Sequence, residues 1–241
     1  MKDGLIQPAQ PPEQKRLQGR IVALEPLDPV THGEALYDGS RGPEAENLYR
    51  YMAYGPFSDR ASFQCDLAQK AESEDPLYYA IVEKQSGAAM GHAAFLRITP
   101  EHRCMEVGSI LYVPLFQRTA GATEAMYLMA RYAFEDLGYR RYEWKCDAQN
   151  APSRRAAQRL GFAFEGIFFQ HMIVKGRNRD TAWYSMLDVE WPERKLAFES
   201  WLDPSNFDGA GRQRLALARP GNNNRAARAV AARRMVQPWT G

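Results

Sequence analysis

The stretch Glu106-Val107-Gly108-Ser109-Ile110-Leu111-Tyr112-Val113-Pro114-Leu115-Phe116-Gln117-Arg118-Thr119-Ala120-Gly121-Ala122-Thr123-Glu124-Ala125 decides the fold. Its first part is apolar and β-rich, which predicts a strand over 105–113. Pro114 ends that run, and small residues follow. From 122 to 137 the apolar positions 122, 126, 129, 133 and 137 recur at steps of three and four, which predicts an amphipathic helix closed by Gly138. A strand therefore runs through a small-residue turn into a helix. Such a junction leaves backbone N–H groups unpaired at the positive end of the helix, where phosphate oxygens can sit. Any strand-turn-helix junction can also use small residues for packing alone.

Working outward, residues 1–19 are rich in Gln and Pro and carry no apolar period, so a flexible lead-in is expected there. A short strand is expected at 20–24, helices at 29–37 and 60–72, and strands at 77–83 and 89–98 around the turn Gln85-Ser86-Gly87. Beyond the central helix come a strand at 142–146 and a helix opened by Asn150 as N-cap and closed by Gly161. Two antiparallel strands, 162–174 and 181–189, are expected around a loop at 175–180, with a closing helix at 191–202. This order describes a mixed α/β (α+β) domain over 20–204. It is not a doubly wound nucleotide fold, because no G-x-G-x-x-G follows a strand and no P-loop signature occurs.

Composition agrees with a globular chain: 241 residues, 45% apolar and 25% charged, with a formal charge of +2. No run approaches the ~20 apolar residues of a membrane span, and the N-terminus lacks a signal-peptide pattern, so no membrane association is expected. Cys65, Cys104 and Cys146 are far apart and odd in number, and His32, His92, His102 and His171 lack ligand spacing. Neither a disulfide framework nor a metal site is expected, and a reducing, cytoplasmic location fits.

Gln117-Arg118-Thr119-Ala120-Gly121-Ala122 resembles motif A of the GNAT superfamily of acyl-CoA-dependent N-acyltransferases, Q/R-x-x-G-x-G/A, with Ala120 at the usual middle glycine. Ala122-Thr123-Glu124-Ala125, Asn150-x-x-Ser153, Leu160-Gly161-Phe162, Glu165-Gly166 and Arg179-Asp180 follow in the order of its RimJ/RimL-type branch, named for ribosomal-protein N-terminal acetyltransferases. The resemblance covers roughly 20–192. It implies a mixed, mostly antiparallel sheet of about seven strands, helices on both faces, and a splayed strand pair that takes the pantetheine of acetyl-CoA or another acyl-CoA. By position, Ile110 and Tyr112 would offer the backbone edge, and Gln117, Arg118, Thr119, Ala120, Gly121, Ala122 and Thr123 would surround the pyrophosphate. Ile110 and Tyr112 would look the same as plain sheet core.

The implied reaction is direct acyl transfer to a primary amine, on a small molecule or a peptide N-terminus. The amine must lose a proton and the leaving thiolate must gain one. Glu106 resembles the base that several family members keep on this strand, and it reads equally as a strand-start carboxylate facing solvent or holding a neighbour. Ser153 resembles the branch's proposed acid, or satisfies first-turn backbone groups; Asn150 would bond pantetheine, or simply cap. His171 and Asp180 flank the acceptor mouth of the branch, His171 able to titrate near neutrality or merely to pack. The turn Lys175/Arg177/Arg179 either attracts an acidic acceptor or keeps the hairpin soluble, and Arg154, Arg155 and Arg159 face a CoA phosphate or solvent. A CoA-binding module without catalysis is the rival reading, with Ala120 as its support. A monomer or a homodimer fits either.

Charge is unevenly placed. From Ser205 onward the chain carries seven arginines and one acid, a net of +6, which leaves −4 on the preceding body. The segment 205–241 is expected to be a disordered, solvated tail, or to touch an anionic partner such as nucleic acid or the ribosome.

Overall fold

The computed structural model describes residues 7–217. Eight strands form one sheet: β1 (Leu17–Gln18), β2 (Val22–Pro26), β3 (Leu77–Glu83), β4 (Ala89–Thr99), β5 (Cys104–Tyr112), β6 (Arg141–Asp147), β7 (Ala163–Val174) and β8 (Arg177–Leu187). Their spatial order is β1-β2-β3-β4-β5-β6-β8-β7, and every neighbouring pair is antiparallel except β5 and β6. The helices are α1 (Pro29–Ser40), α2 (Ala45–Tyr49), α3 (Arg60–Ala71), α4 (Ala120–Arg131), α5 (Ala151–Arg159) and α6 (Trp191–Leu202).

Strand β3 shows why there are three layers. Leu77, Tyr79 and Ile81 point into the core shared with α4, α5 and α6, while Tyr78, Ala80 and Val82 meet Leu36 of α1 and Phe63 and Leu67 of α3. Alternate side chains leave opposite faces of a strand, so a run apolar at every position needs helices on both sides. Each fully buried ring such as Tyr79 or Phe95 contributes about 2–3 kcal/mol of apolar transfer. Helix α4 is buried from Gly121 to Ala130, continues through one π-turn at Tyr132–Asp136 and ends at Gly138, whose φ of +74° only glycine adopts freely.

Four expectations change. The sheet has eight strands, because residues 17–18 add β1 to the edge of β2. The lead-in is docked over part of its length: Ala9 is buried, its N–H bonds Pro100 O, and Glu13 O accepts from the Tyr79 hydroxyl at 2.6 Å. The loop at 175–180 is a two-residue turn, since β8 begins at Arg177 and pairs it with Val174. Of the expected tail, residues 205–217 are held by a Phe207–Gln213 bridge and by burial of Leu217, and 218–241 lie outside the described residues. For β1, the lead-in and the tail the partners sit too far apart in sequence to show a period, and at 177–180 the strand residues are all polar.

Candidate active site

Strands β5 and β6 pair in parallel only at Cys104–Arg141, Met105–Tyr142 and Glu106–Glu143. Both strands continue, and beyond that point they diverge into a cleft whose apex is Glu106. Met105 and Val107 face the α4 side, so alternation turns Glu106 to the opposite face. On β6, Tyr142, Trp144 and Cys146 enter the α4 core, which turns Glu143 and Lys145 to the same face as Glu106.

Those side chains form an alternating ladder of charge. The Arg97 guanidinium lies 2.6 Å from Glu106 Oε2, and Lys145 Nζ lies 2.9 Å from the same oxygen and 2.7 Å from Glu143 Oε2. Arg141 continues it to Glu143 and Glu165, both at 2.6 Å. The side chains of Glu106 and Lys145 are each 4% exposed, whereas Arg97 is 49% exposed. Burial pushes the Glu106 carboxyl above its ordinary range even though Lys145 and Arg97 pull it down. At Glu143 burial is outweighed by the bonds from Lys145 and Arg141, which hold it below that range. One of two neighbouring carboxylates is thus kept ionised and the other made more basic, an arrangement common where protons are moved.

Above the ladder lies an aromatic wall. Lys145 Nζ sits 3.9 Å from the Trp183 ring centroid, and Phe168 stacks on Trp183 at 4.5 Å. His171 meets both rings, and its Nδ1 lies 2.9 Å from Thr181 Oγ1. The residue is placed there by a bulge in β7, where Phe168–Thr181 is followed by Met172–Arg179. Burial, then Arg179, Arg97 and Lys145, lower the His171 pKa, so the imidazole is neutral at pH 7.

A second bulge shapes the cleft wall. Between His92–Leu111 and Ala94–Gly108 strand β5 carries one extra residue, and Ser109 there has φ +49°. The extra residue reverses the alternation, so Ile110 and Tyr112 pack toward α4. The Ser109 hydroxyl meets Tyr78 OH at 3.0 Å. Beside this pair a buried polar group collects: Lys70 Nζ is 3.2 Å from the Tyr54 ring centroid and bonded to Asp66, and Tyr54 OH is 3.4 Å from His92 Nε2. Desolvation lowers the His92 pKa to about 3, so this imidazole is neutral.

At the far end of β5 the chain turns into α4. Gln117 is extended and its amide donates to Tyr112 O at 3.2 Å; Arg118 takes φ +64°; Thr119 caps the helix by accepting from Ala122 N. The N–H groups of Ala120 and Gly121 open the first turn, where no intrahelical acceptor exists. Gly121 is required by packing, since a Cβ there would stand 2.7 Å from the Phe116 ring. Glu124 accepts from the N–H groups of Arg20, Ile21 and Val22 and so pins β2 to α4.

The sequence profile of the acetyltransferase (GNAT) domain matches residues 26–163, more than half of the chain. The chain belongs to the GNAT acetyltransferase family. A GCN5-related N-acetyltransferase from Brucella melitensis superposes with a TM-score of 0.86 at 49% identity, covering 88% of this chain and 96% of that one. A probable GNAT-family acetyltransferase from Chromobacterium violaceum ATCC 12472 gives 0.73 at 39% identity, covering 80% and 95%. The uncharacterized N-acetyltransferase YnaD of Bacillus subtilis (strain 168) is 26% identical over 146 residues, 60% of this chain and 83% of its own.

As a GNAT acetyltransferase the enzyme takes its acyl group from acetyl-CoA, which supplies an activated thioester. The residues fit that group: an unpaired β5 edge lines the cleft, and unpaired amides at a helix start face its outer end. Ala120 poses no obstacle, because it begins a helix and the left-handed conformation falls on Arg118. Among the described residues no cluster of three or more His, Cys, Asp or Glu is placed to hold a metal ion, and no helix is long and apolar enough to cross a membrane.

The remaining expected residues divide. Asn150 caps α5 by accepting from Ser153 N at 3.1 Å, and the Ser153 hydroxyl accepts from Trp144 Nε1 at 3.0 Å, which places both on the β6 side of the cleft. Tyr112 presents less of an edge than expected, since its carbonyl is taken by Gln117. Thr123 is buried, its hydroxyl donating to Thr119 O at 3.5 Å and accepting from Arg159, which lies over the Trp201 ring, so both its hydrogen bonds are taken within the protein. Arg154 bonds Tyr184 OH and Ala148 O, and Asp180 accepts from Gln170 N and the Asn178 amide. Glu106 does not face solvent. Sequence reasoning offers Trp183 as an acceptor-site wall or as core packing, and it misses Lys145, Arg97 and Ser109 as parts of the cleft. Alternation along 142–146 was the available signal for Lys145, while nothing in sequence marks the bulge at Ser109.

Proposed function

We propose that this acetyltransferase acetylates a primary amine, the α-amino group of a peptide or the amine of a small molecule, with Glu106 receiving the amine's proton. The observation that carries this reading is the burial of the Glu106 carboxylate at the apex of the β5–β6 cleft, with its basicity raised. An α-amino group titrates at ~7.7–8.0 and a lysine at ~10.4, so deprotonating the former at neutral pH is easier by ~3.5 kcal/mol. A carboxylate made more basic by burial suits the easier substrate.

In this reading the unpaired β5 edge and the first turn of α4, with Gln117, Arg118, Thr119 and Ala120, hold the donor. The Ser153 hydroxyl, near the start of α5, returns a proton to the departing thiolate. His171, neutral and hydrogen-bonded to Thr181, orients the acceptor against the Trp183–Phe168 wall. The motifs shared with the RimJ/RimL-type branch support a protein N-terminus among the acceptors. Cytoplasmic placement is supported by three free cysteines, of which Cys65 is exposed.

The test is thiol release from acetyl-CoA with a panel of peptide and small-molecule amines, run on the wild type and Glu106→Gln. Loss of a positioned base costs about 100-fold or more in turnover, and calorimetric binding of acetyl-CoA should persist. A Glu106→Gln enzyme retaining half the wild-type rate with every amine would end the proposal for Glu106.

A further inference from the structure

A cavity of about 560 Å³ opens between α2, the β7–β8 hairpin and the end of β6. Its charged lining is Glu46, Arg50, Asp147, Lys175, Arg177 and Arg179. Three of these six are already committed. Lys175 Nζ donates to Tyr49 O and Gly55 O and feels the charge of Glu46, and the Asp147 carboxylate accepts from Gln149 N. The guanidiniums of Arg50, Arg177 and Arg179 remain, that of Arg50 over the Tyr51 ring at 5.4 Å, and no carboxylate among the described residues forms an ion pair with any of them. Their grouping is local, because the chain through Pro204 carries a net charge of −4.

Two further observations connect this cavity to the cleft. Arg179, Thr181 and Trp183 alternate onto one face of β8, and Trp183 is paired with Lys145, whose ammonium touches Glu106. Arg179 thus lies four residues, roughly 13 Å, along the strand from Trp183, whose partner Lys145 touches the apex carboxylate. Arg179 Nε and Trp183 Nε1 are both buried N–H donors without a hydrogen-bond partner. Such donors are uncommon unless an acceptor oxygen arrives from elsewhere.

We infer that this cavity is an anion subsite for the acceptor, and that the enzyme selects primary amines carrying a carboxylate or phosphate within roughly 13 Å of the nitrogen. Arg50, Arg177 and Arg179 take the anion, and Trp183 Nε1 takes an oxygen lying between the anion and the amine. For an extended peptide, at ~3.3 Å per residue, the acid falls within the first four positions. The inference rests on the transferase reading of the cleft, and its test separates the two.

Peptides Ala-Ala-Glu-Ala and Ala-Ala-Gln-Ala, both C-terminally amidated, are titrated calorimetrically into enzyme saturated with CoA, and their turnover with acetyl-CoA is measured in parallel. A third arm compares an aminoalkyl phosphate with the corresponding amino alcohol, which tells a peptide source from a small-molecule source. The acidic member of at least one pair should bind ten-fold or more tightly, with the ratio falling as salt rises from 0.05 to 0.5 M, and Arg179→Gln should bring it within two-fold of unity. Arg177→Gln repeats the measurement if Arg179→Gln fails to fold. Equal binding within both wild-type pairs overturns the subsite, whatever the turnover. Loss of CoA binding in Arg179→Gln also overturns it, since the guanidinium would then serve the donor. Acid-selective binding without any turnover would support the subsite and defeat the assignment of the cleft to these amines.

Discussion

Replacing Lys145 with Met tests whether the Glu106 apex is electrostatically built as described. The substitution keeps the apolar stem against Trp183 and removes the charge between Glu106 and Glu143. Breaking a buried pair by deleting one member costs about 3–5 kcal/mol, because the other charge is left without compensation. Arg141 still holds Glu143, and half-exposed Arg97 still reaches Glu106, so the lower end, about 3 kcal/mol, is expected. For a domain of this size that corresponds to a melting temperature lowered by about 6–12 °C. The pH dependence follows from Glu106, whose carboxyl is already raised by burial and would rise further. A carboxyl raised in the folded state is most favourable when protonated, so stability is present below its unfolded pKa and is lost as pH rises through the folded one. Differential scanning calorimetry should therefore find a larger deficit at pH 8 than at pH 5. In the double variant Lys145→Met/Glu106→Gln much of the loss should return, since no unpaired buried charge remains and the Arg97 left over is half-exposed. A deficit of under 2 °C, an equal deficit at both pH values, or a double variant no better than the single one would refute the account.

Four other outcomes follow from particular contacts. Glu124→Ala strands three backbone N–H groups at the entry to β2, and denaturant titration should show a loss of about 3 kcal/mol. Gly121→Val forces atoms against the Phe116 ring and Val22, with an overpacking cost of about 1–3 kcal/mol that Phe116→Leu in the same chain partly relieves. Asn150→Ala should cost about 1 kcal/mol of stability through loss of the α5 cap, and a much larger fall in turnover than in stability would show that Asn150 also touches the donor. Because burial and nearby cations lower the His171 pKa, His171→Gln should leave the shape of the kcat/KM profile between pH 7 and 9 unchanged; a limb displaced there would show that the imidazole titrates in the reaction.

The parts of the fold legible from sequence are those whose signal is local. The strand at 77–83 and the helix at 191–202 have the bounds that the sequence predicts, the first because it is a dense apolar run, the second because Pro192 stands in its first turn and Pro204 follows its last residues. The N-cap Asn150 and the closing Gly161, at φ +94°, were equally local. Strand β1 was not: two residues earn their place only by pairing with Leu24 and Ala23. Ala9 and Leu217, near opposite ends of the described chain, are buried in one core, yet neither sits in a periodic segment. The sequence predicts a longer loop around Lys175-Gly176 because Arg177, Asn178, Arg179 and Asp180 are polar. They are nonetheless strand residues, since an edge hairpin leaves their side chains in solvent or at the cavity.

The site divides along the same line. The turn at 117–122 was legible because its chemistry, small residues before a helix, is written in consecutive positions. Glu106 was legible only as a position, and its physical character was not, because that character belongs to its partners. Arg97 and Lys145 lie nine residues before and thirty-nine after it, on strands that meet Glu106 from opposite sides. Which of several charged residues reach it depends on where β5 and β6 stop pairing, and that depends on the register Glu106–Glu143. A shift of one residue would turn Lys145 into the core and bring Trp144 to the apex. The burial that makes Glu106 a stronger base is thus a property of strand register: the cations that lower its pKa and the desolvation that raises it arrive together when β6 docks. Any variant that loosens this register should lose the base and the buried charge ladder in one step.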